Sequence, residues 1–177
     1  MTLVAAIEDC RNRKQILPAL VLLYSGIDIL ASLERKGKEG TASAFQRWAK
    51  NYLETEDNLG CSANDLYGAR CGIVHTFSPA SKYSQTGKAR EIDYAWGDAR
   101  VDKLQAIFRA TGKNYIALHV DKLIDVFKAG ANKFFSDVSN DSERSKLVAK
   151  NAGIWFTNMD KALVDNIIDI IEQSPDT

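Results

Sequence analysis

Apolar residues recur along this chain at three- and four-residue intervals far more often than at every second position, and that spacing is the signature of helices. Ile16, Leu20, Leu23, Ile27 and Leu30 form one stripe, with Leu17, Val21 and Tyr24 beside it. A helix apolar over so much of its circumference is buried on several sides. Pro18 suits its first turn, and a preceding helix covers residues 2–12. The Gly-Lys-Glu-Gly segment at 37–40 reads as a loop, after which Thr41 or Ser43 caps a helix holding Phe45, Trp48 and Leu53. Ser62-Ala-Asn-Asp65 has the Ser-x-x-acid form of a capping box. It opens a helix running to about His75, which Ser78-Pro79 ends.

The pattern then changes. Residues 78–90 are polar and turn-rich and read as a mobile loop. Branched and aromatic residues at 90–96 and 114–120 predict two short strands, with a helix over Val101–Phe108 between them. Leu123, Val126, Phe127, Gly130, Phe134 and Val138 give a long amphipathic helix, and a short charged helix follows near 142–150. Phe156, Met159, Leu163, Ile167 and Ile171 mark a last one. With no internal repeat, the chain reads as one domain over 1–177: mainly α, a helical bundle with a small two-stranded β insertion.

Composition excludes several functions. With 177 residues and 45% hydrophobic positions, one well-filled core is possible and a second domain is not expected. Lys+Arg and Asp+Glu both total 23, so the chain is not built to coat long nucleic acid by charge alone. A locally basic site for a short RNA or a nucleotide stays open. Three cysteines without a CxxC pair and two histidines without HExxH argue against a disulfide framework and a zinc site. No P-loop, GxGxxG or GxSxG is present, so no metal or cofactor is expected. Pro18, Ser25, Asp28 and Ser32 interrupt the longest apolar stretch, and the charged N-terminal segment does not read as a secretory signal. The expectation is a cytoplasmic protein with no membrane span.

Candidate chemistry concentrates in Asp65-Leu-Tyr-Gly-Ala-Arg70-Cys-Gly-Ile-Val-His75-Thr-Phe-Ser. On a helical wheel Leu66, Ala69 and Ile73 face the core, and His75 lies opposite, beside Gly68 and Gly72. Two helical glycines each cost about 1 kcal/mol relative to alanine, so something approaches closely there, either a partner helix or a ligand. Arg70 and His75 point about 140° apart on an ideal helix. They converge through the reach of arginine or around a site shared with a second subunit. One reading makes His75 a surface histidine suited to a helix C-terminus. The other gives His75 acid–base work and Arg70 a phosphate charge to hold.

Asp28 shares a stripe with Leu17, Val21 and Tyr24 on an otherwise apolar helix. A buried carboxylate needs a cation or donor, and Arg70 is the candidate, with Tyr24 and Ser25 completing a hydrogen-bond network. In that case Asp28 orients Arg70. A solvated or locally bonded Asp28 is the other reading. Lys82, Lys88 and Arg90, with Tyr83, are candidate RNA phosphate contacts, against the plainer reading of a solvated surface loop. Trp48, Trp96 and Trp155 read as core or interface anchors, and His119 as a structural histidine. Cys71, beside Arg70, is a candidate redox-sensitive thiol supporting that site.

The Arg70-x4-His75 spacing late on a helix of an all-α bundle resembles the Arg-x4-6-His signature of the HEPN superfamily. The surrounding DLYGARCGIVHTFSP is similar to single-domain bacterial and plasmid members of it. The resemblance implies an up-and-down helical bundle that forms a homodimer through its motif helices. It also implies a metal-independent endoribonuclease of toxin or anti-phage defence type, cutting an RNA substrate through a 2′,3′-cyclic phosphate at a dimer-interface cleft. Arg70 would then hold the scissile phosphate and His75 act as general base or acid. Other members are catalytically inactive modules that bind a nucleotide or a protein, and toxins of this kind pair with an antitoxin. Cys71 stands where active members often carry Asn, Asp or His. Phe77 stands where toxins controlled by tyrosine modification carry Tyr, which argues against that control here. An unrelated helical interaction protein with coincidental spacing is the remaining reading.

Overall fold

The chain opens with α1 (Leu3–Asn12) and α2 (Ile16–Leu33), followed by α3 (Thr41–Tyr52), α4 (Ala63–Thr76) and the short α5 (Lys82–Gln85). Next come β1 (Glu91–Ala95), α6 (Val101–Ala110) and β2 (Tyr115–His119), then α7 (Val120–Ser139), α8 (Ser142–Ala152) and α9 (Lys161–Glu172). The computed structural model describes residues 2–54, 59–78, 80–153 and 161–173. The last-helix positions Phe156 and Met159, and Trp155, lie outside the described residues. The chain is mainly α with a small two-stranded sheet, as its periodicity predicts.

α2 is the axis of the fold. Among the described residues it alone has the length and hydropathy of a membrane span. Here it packs against α1, α3, α4, α7 and α8, burying Ala19, Leu23, Tyr24 and Ile27 completely. Trp48 of α3 fills the space between α2 and α7, with its ring centroid 6.3 Å from Phe127 and 6.1 Å from Phe134. Arg11 ties α1 to α7 through Asp121 at 2.8 Å and Asp125 at 3.1 Å. Glu34, the buried residue that ends α2, is held by Arg144 of α8 and Arg47 of α3.

The two strands are parallel, from Glu91 opposite Tyr115 to Ala95 opposite His119. Parallel neighbours cannot be joined by a tight hairpin, and α6 supplies the crossover. Gln105 of α6 also covers the open edge of β2, donating to the Tyr115 carbonyl at 3.2 Å and accepting from the Ala117 N–H at 2.9 Å. Strands are thus part of a βαβ unit seated on α4 and α7 rather than a free hairpin.

Two local expectations change, and one apolar face stands open. Gly40, not Thr41 or Ser43, is the N-cap of α3, and it has no side chain to offer. The apolar residues of α9, among them Leu163, Ile167 and Ile171, are exposed. Within the expected mobile loop of 78–90, residues 80–90 are built into the fold, Pro79 lying outside the described residues: Ser81 and Ser84 form a capping box for α5, and Ser81 and Ala89 are buried. The glycines of α4 make this possible. A Cβ on Gly68 would stand 2.8 Å from that of Ala89, and one on Gly72 only 2.2 Å from the Ser78 carbonyl oxygen. The close approach inferred from the two glycines is therefore by the chain's own next segment.

Asp65 ties the end of that segment to the start of α4. It completes the predicted capping box with Ser62, and it accepts from the Arg90 backbone N–H and from the guanidinium, each at 2.7 Å. Burial pushes the Asp65 carboxyl up, but Arg90 and the backbone N–H groups of Ser62 and Arg90 outweigh it and hold the carboxyl below its ordinary value.

Two outcomes follow. Gly72→Ala lowers unfolding free energy by about 1–3 kcal/mol in spite of alanine's better helix propensity, read from chemical denaturation; wild-type stability in that variant contradicts the packing described. A carboxyl with a depressed pKa stabilises the fold above its unfolded pKa of about 3.9 and loses that contribution as pH falls through the folded value. The stability gap between wild type and Asp65→Asn therefore narrows as pH drops from about 5 towards about 2. A gap independent of pH contradicts the assignment.

Candidate functional site

Asp28 is the one carboxylate on the α2 helix, and α4 supplies its cation. Asp28 Oδ2 lies 2.7 Å from Arg70 Nε, with both side chains mostly buried, at 20% and 15% exposure. Asp28 Oδ1 is buried without a hydrogen-bond partner among the described residues. Burial works against the charge on Arg70, but the Asp28 carboxylate outweighs it and raises the guanidinium's pKa above its ordinary value. The ion pair inferred from a carboxylate on an apolar stripe is present.

From that anchored position Arg70 reaches along its own helix. Its Nη1 lies 2.8 Å from His75 Nε2. Two side chains that diverge by about 140° on a wheel meet because arginine's four-bond arm lets the guanidinium lie along the helix surface. The end of α4 is shaped to hold His75 there. The Phe77 N–H, the Ser78 N–H and the Thr76 hydroxyl all donate to the Gly72 carbonyl, and Phe77 takes a left-handed conformation with φ of 50°. Phe77 itself points into solvent, 67% exposed.

Cys71 stands beside Tyr67 on the groove wall, and burial, followed by that neighbouring thiol, pushes the Tyr67 hydroxyl up. Tyr24 does not join this network. Its hydroxyl is paired with that of Tyr94 on β1, Tyr24 being fully buried and Tyr94 half-buried, and burial followed by Tyr94 raises its pKa well above the ordinary value. Of the three candidate basic contacts, Arg90 is committed to Asp65 and Lys88 lies 5.8 Å from the centre of the Tyr83 ring. Lys82 alone lines the groove beside His75.

That groove, about 570 Å³, runs between α4 and α5. Tyr67, Cys71 and His75 form one wall and Lys82, Tyr83 and Gln85 the other. Tyr83 is fixed by an edge-to-face contact with Tyr67, centroids 5.2 Å apart, and by the Gln46 amide donating to its hydroxyl at 2.9 Å. Sequence reasoning did not single out Tyr67, Gln46 or Gln85. Tyr67 was findable, standing one turn before Cys71 on the same face. Nothing local marks Gln46, which arrives from α3.

The remaining candidates are structural. His119 caps α7, accepting from the Asp121 N–H through Nδ1 at 3.2 Å and pairing with the Gly97 carbonyl through Nε2 at 2.9 Å. Trp48 is buried and Trp96 is 53% exposed. Among the described residues no group of three or more His, Cys, Asp or Glu side chains is arranged to hold a metal ion.

Compared with family models, curated proteins and solved structures, the chain has no match. Arginine can only donate, so His75 Nε2 accepts and carries no proton, which leaves the proton of the neutral ring on Nδ1. The site thus holds a cation backed by a carboxylate and, in contact with it, an imidazole whose lone pair is masked by that cation. Nitrogen-15 chemical shifts of the His75 ring at neutral pH are expected to show the Nδ1–H form, and Arg70→Gln to release that preference. A predominant Nε2–H form in the wild type contradicts the contact.

Proposed function

We propose that the protein is a metal-independent endoribonuclease working by internal transesterification. The observation that carries the reading is the Asp28–Arg70–His75 chain, 2.7 Å and 2.8 Å at its two links, at the rim of an open groove. A phosphodiester offers Arg70 a better acceptor than a neutral imidazole does, because a hydrogen bond between two charged groups is roughly twice as strong. Arg70 turns Nη1 to a non-bridging phosphate oxygen while Asp28 retains Nε. That movement uncovers the Nε2 lone pair of His75 beside the substrate.

His75 then removes the proton of the 2′-hydroxyl. The 2′-oxygen bonds to phosphorus as the bond to the 5′-oxygen breaks, leaving a 2′,3′-cyclic phosphate and a 5′-hydroxyl. Arg70 neutralises the charge that builds on the phosphate oxygens in between. The leaving oxygen takes its proton from His75 in a second copy of the chain, which binds a proton from solvent once its own Arg70 has turned to the phosphate, so the working unit is a homodimer. Ile29, next to Asp28, and Phe77, two residues past His75, are exposed apolar side chains available to that contact.

RNA cleavage in excess EDTA tests the reading. His75→Ala is expected to slow it by about 10²–10⁴-fold without loss of fold, and Arg70→Ala by about 10²–10³-fold with a loss of stability as well, because it leaves Asp28 unpaired. Asp28→Asn is expected to lower kcat more than it changes KM, and activity per chain should fall on dilution as dimers separate. Undiminished cleavage by a folded His75→Ala variant overturns the assignment. No cleavage of a broad RNA panel by the wild type transfers Arg70 and His75 to a binding role.

A further inference from the structure

The groove beside His75 is more than an approach to the catalytic pair. Its size falls in the range of small-molecule sites, roughly 300–1,000 Å³, and its surface is mostly apolar. Most of its polar side chains are already engaged by the protein. The Tyr83 hydroxyl takes the Gln46 amide, Thr76 donates to the Gly72 carbonyl, and Ser81 serves the cap of α5. What remains for a ligand is aromatic surface on Tyr67 and Tyr83, the exposed Gln85 amide, and Lys82, which forms no ion pair with another described residue.

We infer that this groove seats an unpaired nucleobase of the strand whose phosphate Arg70 holds, with Lys82 on a neighbouring phosphate. The inference rests on the ribonuclease reading and names its substrate class, single-stranded RNA. A flat ring packs against the wall made by Tyr67 and Tyr83, where stacking is tolerant of base identity. The Gln85 amide carries both a donor and acceptor, so it accommodates more than one base edge. A base in a duplex has its faces stacked and its edge paired, and cannot enter. The wall is set before binding, because Tyr67, Gln46 and Lys88 already hold the Tyr83 ring, and a fixed wall saves the cost of ordering it. Lys88 and Arg90, engaged with Tyr83 and Asp65, act on the groove's shape rather than on phosphate.

The test is binding of a short single-stranded RNA that carries 2-aminopurine and 2′-fluoro sugars, which cannot supply the attacking hydroxyl. Wild type is expected to quench the fluorescent base, and the matching duplex to compete poorly. Tyr83→Ala weakens binding by roughly 5- to 150-fold and removes the quenching, whereas Tyr83→Phe, which keeps the ring, retains both. Lys82→Gln weakens binding and reduces its salt dependence. Oligonucleotide still bound and still quenched by a folded Tyr83→Ala variant overturns the groove while leaving the nuclease reading intact. Quenched binding by a wild type that cleaves nothing in EDTA keeps the groove and removes the nuclease. A wild type that binds no single-stranded oligonucleotide overturns the groove, and so does equal binding of the duplex.

Discussion

A single carboxylate on the most apolar helix organises this protein's candidate site. Asp28 lies on the helix at the centre of the fold, and leaving it unpaired there would cost several kcal/mol. Arg70 meets it at 2.7 Å from α4, which fixes where α4 crosses α2 and which way the guanidinium faces. One nitrogen of that guanidinium is held by the carboxylate, and another reaches His75 at 2.8 Å. The constraint is therefore structural and chemical together: the same contact that satisfies a buried charge aims a cation at an exposed imidazole.

The rest of the site depends on how closely the chain returns along α4. Gly72 lets the Ser78 backbone cross the helix, and Gly68 admits Ala89. Between those two contacts α5 stands off just far enough to open the groove lined by Tyr67, Tyr83 and His75. Asp65 closes the circuit by binding Arg90 at the start of β1, so the sheet holds the far end of the groove wall. The βαβ unit thus acts as a clamp on α4. Removing a glycine, the Asp65 carboxylate or Asp28 disturbs one geometry through three different contacts.

Much of the fold was legible because its signals are local. The stripe from Ile16 to Leu30 gives α2, and Ser62 with Asp65 gives the start of α4. The Asp28–Arg70 pair followed from a rule that needs no coordinates, that a carboxylate on a buried stripe must find a cation. Other features depend on contacts distant in sequence. Residues 78–90 have the composition of a mobile loop, but over 80–90 the chain packs on α4 through the two glycines beneath it, with the Ser81–Ser84 cap and the Asp65–Arg90 contact holding it there. Tyr24 shares a stripe with Asp28, yet its hydroxyl is claimed by Tyr94 from β1, a partner no helical wheel contains. The wheel likewise separated Arg70 from His75, because it records where side chains leave the backbone and not how far an arginine travels. Gln46 on the groove wall left no trace in local sequence at all.

The central claim is that Asp28 acts through Arg70, and that the two serve one cleavage reaction. A double-mutant cycle on RNA cleavage in EDTA tests it most directly, comparing wild type, Asp28→Asn, Arg70→Gln and the double variant. Residues in one hydrogen-bonded unit are strongly non-additive, so the double variant is predicted to be no slower than Arg70→Gln alone. Losses that multiply, with the double variant slower than Arg70→Gln by the full factor of Asp28→Asn, would show that the two residues act independently and contradict the account.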